Sequence, residues 1–386
     1  MRAVMLEAQW DPRPGYQPSP RELALRKAAK ASGVWRHPRF VAAEVPEPRP
    51  ARDEVVLRVR AAGICGSDTH CYEHDAEGYV LFSGPLRAPC IVGHEFAAEV
   101  VEVGPEVRNL RRGELVAAEG MLYCRVCEAC RGGRPNQCSD LDMVGFSAPG
   151  AFATWITLEE RLLWSLDPLA EALGDARRAL ALGAMVEPLA VAWNGVFATA
   201  GGFAPGAHVA VFGCGPIGLG AVALARAGGA ATVMAIEPIA ERRALAVALG
   251  ADHAWDPATT PVGEAIRETT RGWGADLVVE AAGAALDTLP EIEPALAAGG
   301  TLVYLGRTGL SAPMALDVLV TQAARIVGAR GHAGAGSFPR ILRMLERGRL
   351  PVEPMITRRF PFADALAALA ASRSRVDGKI LLENFG

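Results

Sequence analysis

The chain has 386 residues, of which 51% are hydrophobic and 21% charged, the composition of a globular protein long enough for two or three domains. Its formal net charge of −4 gives no general reason to expect nucleic acid as a partner. A basic region followed by an apolar core is missing from its start, so a secretion signal is not predicted and a cytoplasmic location is expected.

The first 165 or so residues predict mainly β-structure. Strands are predicted at Met1–Glu7, Glu54–Arg60 and Phe96–Gly104, and polar and apolar residues alternate in the second of them. Between the first two strands lies a proline-containing segment whose middle, Pro20–Lys30, predicts a short helix with Pro20 in its first turn.

From His208 the pattern changes to alternating strands and helices, which implies a parallel sheet covered on both faces. The apolar run Val209–Ala225 contains four glycines and a proline, so it predicts a buried strand and helix rather than a membrane span. The predicted strands are His208–Phe212, Thr232–Glu237, Ala251–Trp255, Asp276–Glu280, Thr301–Leu305 and Lys379–Glu383, and the predicted helices are Ile217–Ala227, Ile239–Leu249, Pro339–Arg347 and Phe362–Ser372.

A glycine-rich loop joins the first of these strands to its helix. Gly213 permits the tight turn, Gly215 lets the backbone approach a pyrophosphate, and Gly218 lets helix and sheet pack closely. Glu237 ends the second strand, where its carboxylate can bind the ribose hydroxyls of NAD and repel the 2′-phosphate of NADP. Arg242 follows a helical turn later and keeps NADP open, but NAD is favoured.

Four cysteines occur within fifteen residues, in the spacing C-x2-C-x2-C-x7-C. They are Cys124, Cys127, Cys130 and Cys138. This spacing suits a structural zinc held by four thiolates, in a lobe spanning 120–140. A disulfide framework, an iron–sulfur cluster and a zinc-ribbon binding module are the alternatives, and the last would make the chain a nucleic-acid or partner-binding protein.

A second group of metal ligands predicts a catalytic zinc, which needs three protein ligands and one exchangeable position. Cys65 and His94 are the obvious pair, while Glu95 and Glu187 compete for the remaining position. Asp68 is expected to orient His94.

These motifs together resemble the zinc-dependent medium-chain dehydrogenase/reductase family, and the resemblance covers nearly the whole chain. The motifs are GICGSDTH at 63–70, GHE at 93–95, the four-cysteine run, EPL at 187–189, GCGPIG at 213–218 and the acidic residue at the second strand end. The resemblance implies an α/β fold with a GroES-like, β-rich catalytic domain formed by 1–190 and 332–386. A Rossmann coenzyme domain with a doubly wound parallel sheet, 191–331, would lie between these parts in sequence.

The resemblance also implies roles for individual residues. With two glutamates, Glu95 and Glu187, available to the zinc, the chain resembles the sorbitol and threonine dehydrogenase branch of the family. Ser67 matches the position that hydrogen-bonds the substrate hydroxyl, and His70 matches the position that relays its proton to solvent. The residues expected to contact the coenzyme are Gly213, Gly215, Pro216, Ile217, Gly218, Glu237, Arg242, Ala282, Gly283, Leu305, Gly306 and Ala329.

The function expected from this resemblance is zinc-dependent, NAD-linked oxidation of a secondary alcohol, in a polyol, sugar or cyclitol, to a ketone. The chain would carry two zinc ions, act on a small molecule, contact neither nucleic acid nor membrane, and form a homodimer or homotetramer. A threonine-type amino-alcohol dehydrogenase is one alternative. Another is a redox-neutral epimerase or lyase that retains its NAD.

One segment departs from the family pattern. Family members usually run from the first strand straight to a Glu-x-Pro-x-Pro turn, here Glu44–Pro48, whereas this chain inserts about thirty residues, 9–39. Residues 1–40 hold eight Lys/Arg and three Asp/Glu, a local excess of 8 − 3 = +5. The insert is predicted either to be a solvated surface helix that pads the catalytic domain or an oligomer contact, or to cap the substrate cleft and recognise a bulky or anionic polyhydroxylated substrate.

Overall fold

The computed structural model describes residues 1–307 and 309–385, which form two compact units. The first unit contains Met1–Glu187, Arg358–Ser374 and the chain from Lys379, and the second contains Pro188–Thr357 and Arg375–Gly378. Each unit has its own sheets and its own packed interior.

The second unit includes part of the range that was predicted for the catalytic domain. Residues 332–357 pack with the second unit, whereas the predicted catalytic domain included all of 332–386. Arg340, for example, places its guanidinium 5.1 Å from the centre of the Trp193 ring. The second unit therefore extends to Thr357, beyond the boundary at 332 that the sequence predicts.

The strands alternate with loops in the first half of the chain and with helices in the second. In chain order they are β1 (Arg2–Trp10), β2 (Lys27–Ala28), β3 (Trp35–Glu44), β4 (Glu54–Gly63), β5 (Leu86–Arg87), β6 (Cys90–Ile91), β7 (Glu95–Val103), β8 (Leu115–Ala118), β9 (Met121–Leu122), β10 (Asp142–Met143), β11 (Trp155–Glu159), β12 (Leu163–Ser165), β13 (His208–Phe212), β14 (Thr232–Ile236), β15 (His253–Trp255), β16 (Ala275–Glu280), β17 (Leu296–Tyr304), β18 (Arg325–Gly328), β19 (Ile356–Pro361) and β20 (Lys379–Glu383).

The helices are short in the first unit and longer in the second. They are α1 (Pro20–Leu25), α2 (Gly66–His70), α3 (Glu128–Arg131), α4 (Asp167–Leu173), α5 (Ala176–Gly183), α6 (Val186–Trp193), α7 (Pro216–Ala227), α8 (Ala240–Ala248), α9 (Val262–Thr269), α10 (Ala285–Ile292), α11 (Leu316–Thr321), α12 (Ser337–Glu346) and α13 (Ala365–Ser372). Within residues 1–307 and 309–385, no single helix is long and apolar enough to cross a membrane, although the bent pair Ala176–Gly183 and Val186–Thr199 passes on length and composition.

The main sheet of the first unit has the order β12-β8-β7-β4-β20-β19, with β11 also pairing with β4. Antiparallel pairing brings Gly63, the last residue of β4, opposite Glu95, the first residue of β7. β20 joins the same end of β4, with Leu381 opposite Gly63. Residues far apart in sequence therefore meet at one end of this sheet.

The insert forms less helix than its sequence predicts. A capping box at Ser19 starts α1, with Glu22 as the reciprocal partner, as is typical of a helix N-terminus. The predicted helix ran to Lys30, but α1 ends at Leu25 because Arg26 adopts a left-handed conformation with φ 49°. The next residues then pair as β2 with β5.

The second unit has a parallel sheet in the order β15-β14-β13-β16-β17-β18. Numbered within this sheet the order is 3-2-1-4-5-6, which is that of the doubly wound dinucleotide-binding fold. The apolar run at 209–225 forms buried β13 and the largely buried helix α7. In such sheets ligands bind beyond the carboxyl ends of the strands, where the order reverses between β13 and β16.

Candidate metal centres and coenzyme loop

The first candidate metal centre lies where β4 and β7 meet. Cys65 follows β4 and is the N-cap of α2, while His94 immediately precedes β7. One ligand atom each from Cys65, His94 and Glu95 lie within 4.8 Å of one another. The sheet register therefore brings the Cys65 thiol next to the His94 imidazole and the Glu95 carboxyl, about thirty residues further along the sequence.

The His94 ring has a polar neighbour on each side. Its Nδ1 lies 3.3 Å from Oδ1 of the fully buried Asp68, and its Nε2 lies 3.4 Å from Ser67 Oγ. Asp68 is itself held by the Cys65 N–H, which donates to Oδ2 at 2.9 Å. Burial opposes protonation of His94, but Asp68 and Cys65 outweigh it and raise the histidine pKa well above its usual value. A cation at this position is therefore electrostatically favoured.

Glu95 forms a buried ion pair that sequence reasoning missed. Lys379 Nζ lies 2.5 Å from Glu95 Oε2, and both residues are only 1% exposed. The same ammonium donates to the Ile64 carbonyl at 3.1 Å. A side chain at Gly63 would overlap the Glu95 carboxylate and would have to displace it from Lys379. The other oxygen, Glu95 Oε1, is buried without a hydrogen-bond partner among the residues that the structure describes.

Glu187, at the start of α6, lies near Cys65, His94 and Glu95 but is not among the ligand atoms that lie within 4.8 Å of one another. His94, Glu95, Lys379 and Asp68 all act electrostatically on its carboxyl. Desolvation is the largest influence and raises the pKa of Glu187 to about 7, with Glu95 and Asp68 acting in the same direction. A positive charge placed among these groups would stabilise the carboxylates of Glu95 and Glu187.

The donor set fits a zinc ion. Thiolate, imidazole and carboxylate are the usual ligands of zinc, and a catalytic site uses three of them. The unpartnered Glu95 Oε1 is a buried acceptor that a cation would satisfy. Asp68 beside His94 Nδ1 is the kind of outer partner that orients a metal-bound histidine. Cys65, His94 and Glu95, with Glu187 nearby, are therefore the residues that would hold it.

Ser67 and His70 both lie on α2, the short helix that follows Cys65. Ser67 Oγ is next to the His94 ring, whereas His70 ends the helix. The carbonyl of His70 accepts a hydrogen bond from the Phe82 N–H at 2.9 Å. Ser67 is therefore brought to the candidate metal centre, and His70 lies one helical turn away from it.

The second candidate metal centre is the four-cysteine lobe. The sulfur atoms of Cys124, Cys127, Cys130 and Cys138 lie within 4.8 Å of one another, and all four thiols are free. Backbone N–H groups point at the sulfurs: Cys127 donates to Cys124 Sγ at 3.3 Å, and Cys124 donates to Cys138 Sγ at 3.4 Å. The Cys130 and Ser139 N–H groups lower the pKa of Cys127 to about 6, which favours the thiolate that binds metal.

In contrast, the pKa of Cys130 is raised to about 12 by desolvation and then by Cys127. Four thiols at this spacing cannot all ionise without a cation between them. The pKa values of Cys127 and Cys130 therefore move in opposite directions, because one thiolate disfavours ionisation of its neighbour. The lobe therefore fits a closed four-thiolate zinc centre.

The glycine-rich loop lies at the carboxyl end of β13. A side chain at Gly218 would collide with the Gly213 carbonyl, and one at Gly213, whose φ is 88°, would lie 2.6 Å from the Ala282 nitrogen. Gly215 is different, because a Cβ there would meet only Arg242 Nη1, at 3.8 Å. The backbone at Gly215 is thus open to a ligand, at the N-terminus of the twelve-residue helix α7.

Glu237 is buried beside this loop, at 4% exposure. Its Oε2 accepts from the Cys214 N–H at 2.7 Å, and its Oε1 accepts from the Ile239 N–H at 3.0 Å. Each oxygen has a second lone pair that ribose hydroxyls could use. Glu237 therefore shapes the loop as well as offering acceptors, a role that its sequence position did not reveal.

The remaining predicted coenzyme contacts gather at the same edge of the second unit. They are Pro216 and Ile217 at the start of α7, Ala282 and Gly283 after β16, Leu305 and Gly306 after β17, and Ala329 after β18. Glu280 links two of these groups: its carboxylate accepts from the Gly283 N–H at 2.9 Å, and its carbonyl accepts from the Leu305 N–H at 2.8 Å. This buried glutamate was also missed, since its sequence signal is only a strand-end acid.

Comparison with known proteins identifies the same pattern. Residues 51–168 match the alcohol dehydrogenase GroES-like domain, and residues 216–347 match the zinc-binding dehydrogenase domain. A scyllo-inosose 3-dehydrogenase from Thermotoga maritima is 41% identical over 90% of this chain and 91% of its own length. An L-threonine 3-dehydrogenase from Caldanaerobacter subterraneus is 33% identical over 89% of this chain and 94% of its own.

Among solved structures, a Thermotoga maritima protein assigned to the alcohol dehydrogenases superposes with a TM-score of 0.95 at 37% identity, covering 99% of this chain and 100% of that one. The predicted combination of a GroES-like domain with a Rossmann-type parallel sheet is therefore confirmed. The prediction of a dehydrogenase is confirmed as well, since these relatives are oxidoreductases of this kind.

Proposed function

The chain belongs to the zinc-dependent medium-chain dehydrogenase/reductase family, and from this premise we propose that it oxidises a secondary alcohol of a polyol, sugar or cyclitol to a ketone, with NAD as hydride acceptor. The observation that carries the proposal is the convergence of Cys65, His94 and Glu95 at the end of the main sheet of the first unit. A cyclitol is the favoured substrate class, because the relative that is 41% identical is a scyllo-inosose 3-dehydrogenase.

In this proposal the three converging side chains hold zinc, and Glu187 supports it from nearby. When bound, zinc supplies the Lewis-acid charge that lowers the pKa of a neighbouring alcohol. Ser67 Oγ, beside the His94 ring, accepts the hydroxyl proton of the substrate and passes it on. His70, at the end of the same helix, relays that proton to solvent, for which an imidazole is suited near neutral pH.

The coenzyme half of the proposal rests on the second unit. The open backbone at Gly215 and the N-terminus of α7 receive the pyrophosphate. The free lone pairs of Glu237 accept the ribose hydroxyls, and its charge disfavours a 2′-phosphate. These features support NAD over NADP. The four-cysteine lobe would hold a second, structural zinc.

Metal analysis with matched variants tests the proposal. Wild-type protein is expected to contain about two zinc ions per chain and to form NADH with cyclitols. The Cys65→Ser variant should contain one zinc fewer and should no longer form NADH, because the thiolate ligand is removed. Cys90→Ser is the control: Cys90 lies outside both clusters, where it donates to the Ala148 and Ile91 carbonyls, which a hydroxyl can also do. Equal zinc content and activity in the two variants would contradict the assignment of Cys65.

A further inference from the structure

The insert, residues 9–39, lies along a second segment of the first unit, which we call the 74–87 loop. Backbone hydrogen bonds connect the two over the length of that loop. His37 N–H donates to Gly78 O at 2.9 Å, Val80 N–H to Trp35 O at 3.1 Å, Ser32 N–H to Phe82 O at 2.9 Å, and Ala31 N–H to Gly84 O at 3.0 Å. Strand pairing of β2 with β5 continues the contact to residue 87.

Side chains add to this backbone contact. The ring of Tyr79, 3% exposed, has the guanidinium of Arg13 at 4.0 Å and that of Arg36 at 4.9 Å from its centre. Trp35, 2% exposed, donates its indole N–H to the Leu86 carbonyl at 3.0 Å. These are contacts of a packed, hydrogen-bonded element, and a merely solvated surface helix would not make them.

Several basic residues of the insert form ion pairs with acidic neighbours. Arg13 pairs with Asp75 and with Glu77, at 2.6 Å for the latter. Lys27 pairs with Asp142 at 2.7 Å. Further pairs join Arg21 to Asp140, Arg36 to Asp11 and Arg39 to Glu7. Four acidic residues outside 1–40, Asp75, Glu77, Asp140 and Asp142, thus offset most of the basic excess of that region, which weakens the reason to see the insert as a receptor for an anionic substrate.

The 74–87 loop in turn is connected to the candidate metal centre through α2 and through Phe146. Phe82 N–H donates to the His70 carbonyl at 2.9 Å, at the end of α2. The Phe82 ring stacks on Phe146 with centroids 4.6 Å apart, and Phe146 packs on the His94 ring at 4.7 Å. Two continuous sets of contacts therefore lead from the insert to α2, which carries Ser67, and to His94.

We propose that the insert is a positioning element for the alcohol site: it holds Phe82 in place and thereby sets the positions of α2 and the His94 ring. The inference rests on the proposed function, in which Ser67 and His94 serve the reacting alcohol. Arg13, Arg36 and Trp35 are its positioning residues, because they act through the 74–87 loop without reaching the reacting atoms. The insert is then neither padding nor a substrate-binding cap.

Two matched pairs of variants test this proposal. Arg13→Gln combined with Arg36→Gln removes both cations from Tyr79, whereas Arg39→Gln removes an exposed arginine that pairs with Glu7 on the neighbouring strand. Trp35→Phe removes the indole hydrogen bond to the 74–87 loop. Trp10→Phe makes the same change in its edge-to-face partner, whose ring centre is 5.1 Å away.

The expected result is a selective change at the alcohol site. Trp35→Phe should raise KM for the alcohol about fivefold, the factor for losing one net hydrogen bond, with KM for NAD unchanged. The Arg13/Arg36 double variant, which loses several hydrogen bonds to the 74–87 loop, should raise KM for the alcohol at least as much. Both should also shift the absorption bands of protein with Co²⁺ in place of the catalytic zinc, and speed amide hydrogen exchange in residues 66–73. Trp10→Phe and Arg39→Gln should leave these three readouts at wild-type values.

Other outcomes would overturn the proposal. If the melting temperature falls while alcohol KM, cobalt bands and exchange in 66–73 stay unchanged, the insert is only padding. A change in NAD affinity alone would likewise contradict a role at the alcohol site. Failure of the proposed function is distinguishable, because wild-type protein would then form no NADH with any alcohol, while the exchange comparison would still decide whether the insert positions α2.

Discussion

Replacing Lys379 by Met should destabilise the protein strongly, because it leaves a buried carboxylate without its cation. The Lys379–Glu95 pair is 1% exposed on each side, and its Nζ–Oε2 distance is 2.5 Å. Burial opposes the charge on Lys379, but Glu95 and Cys65 outweigh it and raise its pKa. Removing one partner of such a pair costs about 3–5 kcal/mol. The Ile64 carbonyl also loses its donor.

The assay is thermal unfolding of metal-free protein at neutral pH. At roughly 2–4 °C per kcal/mol for a unit of this size, the melting temperature should fall by about 6–20 °C. The double variant Lys379→Met/Glu95→Gln should recover much of the loss, since it removes both charges. Lys27→Met is the graded control: its partner Asp142 is 35% exposed, so about 1 kcal/mol or less is expected. A fall below about 2 °C for Lys379→Met, or no recovery in the double variant, would refute the reasoning.

Three further predictions concern the loop, the lobe and a buried acid. Gly218→Ala should weaken NADH binding roughly tenfold in fluorescence titrations, because the new methyl collides with the Gly213 carbonyl; unchanged binding would contradict this. Cys130→Ser should lower the zinc content by about one ion per chain, whereas Cys90→Ser should not; equal contents would exclude zinc from the lobe. Burial raises the pKa of Glu280 despite its N–H donors, so folding stability is lost as pH rises from the unfolded-state pKa through the folded one. Glu280→Gln should lack that loss. The same pH dependence of the unfolding free energy in wild type and variant, measured by urea unfolding, would contradict the prediction.

Much of the fold follows from local sequence signals. The parallel sheet was predicted because strands alternate with helices after His208, and glycine spacing marked the loop after β13, but the edge strand β18 was not among the predicted strands. The metal ligands could be proposed from the sequence because their chemistry is rare and their spacing tight. Cys65 and His94 are then joined by the antiparallel register of β4 and β7.

The parts that escaped prediction depend on long-range packing. Lys379 pairs with a residue 284 positions away, and nothing in a strand beginning Lys-Ile-Leu-Leu distinguishes a buried lysine from an exposed one. The end of α1 depends on the left-handed Arg26 and on the pairing of β2 with β5. The insert likewise showed its charge in the sequence but not its acidic partners, which come from two other segments of the first unit.

The most direct measurement of the central claim is NADH formation by wild-type protein with cyclitols, polyols, sugars and amino alcohols, with NAD and NADP in parallel and a zinc chelator as control. We expect chelator-sensitive turnover with NAD, greatest for a cyclitol or polyol. Turnover confined to L-threonine would move the assignment to the amino-alcohol branch. If the protein binds zinc and NAD but converts substrate without net NADH, as proton NMR of the products would reveal, the proposed net oxidation is contradicted.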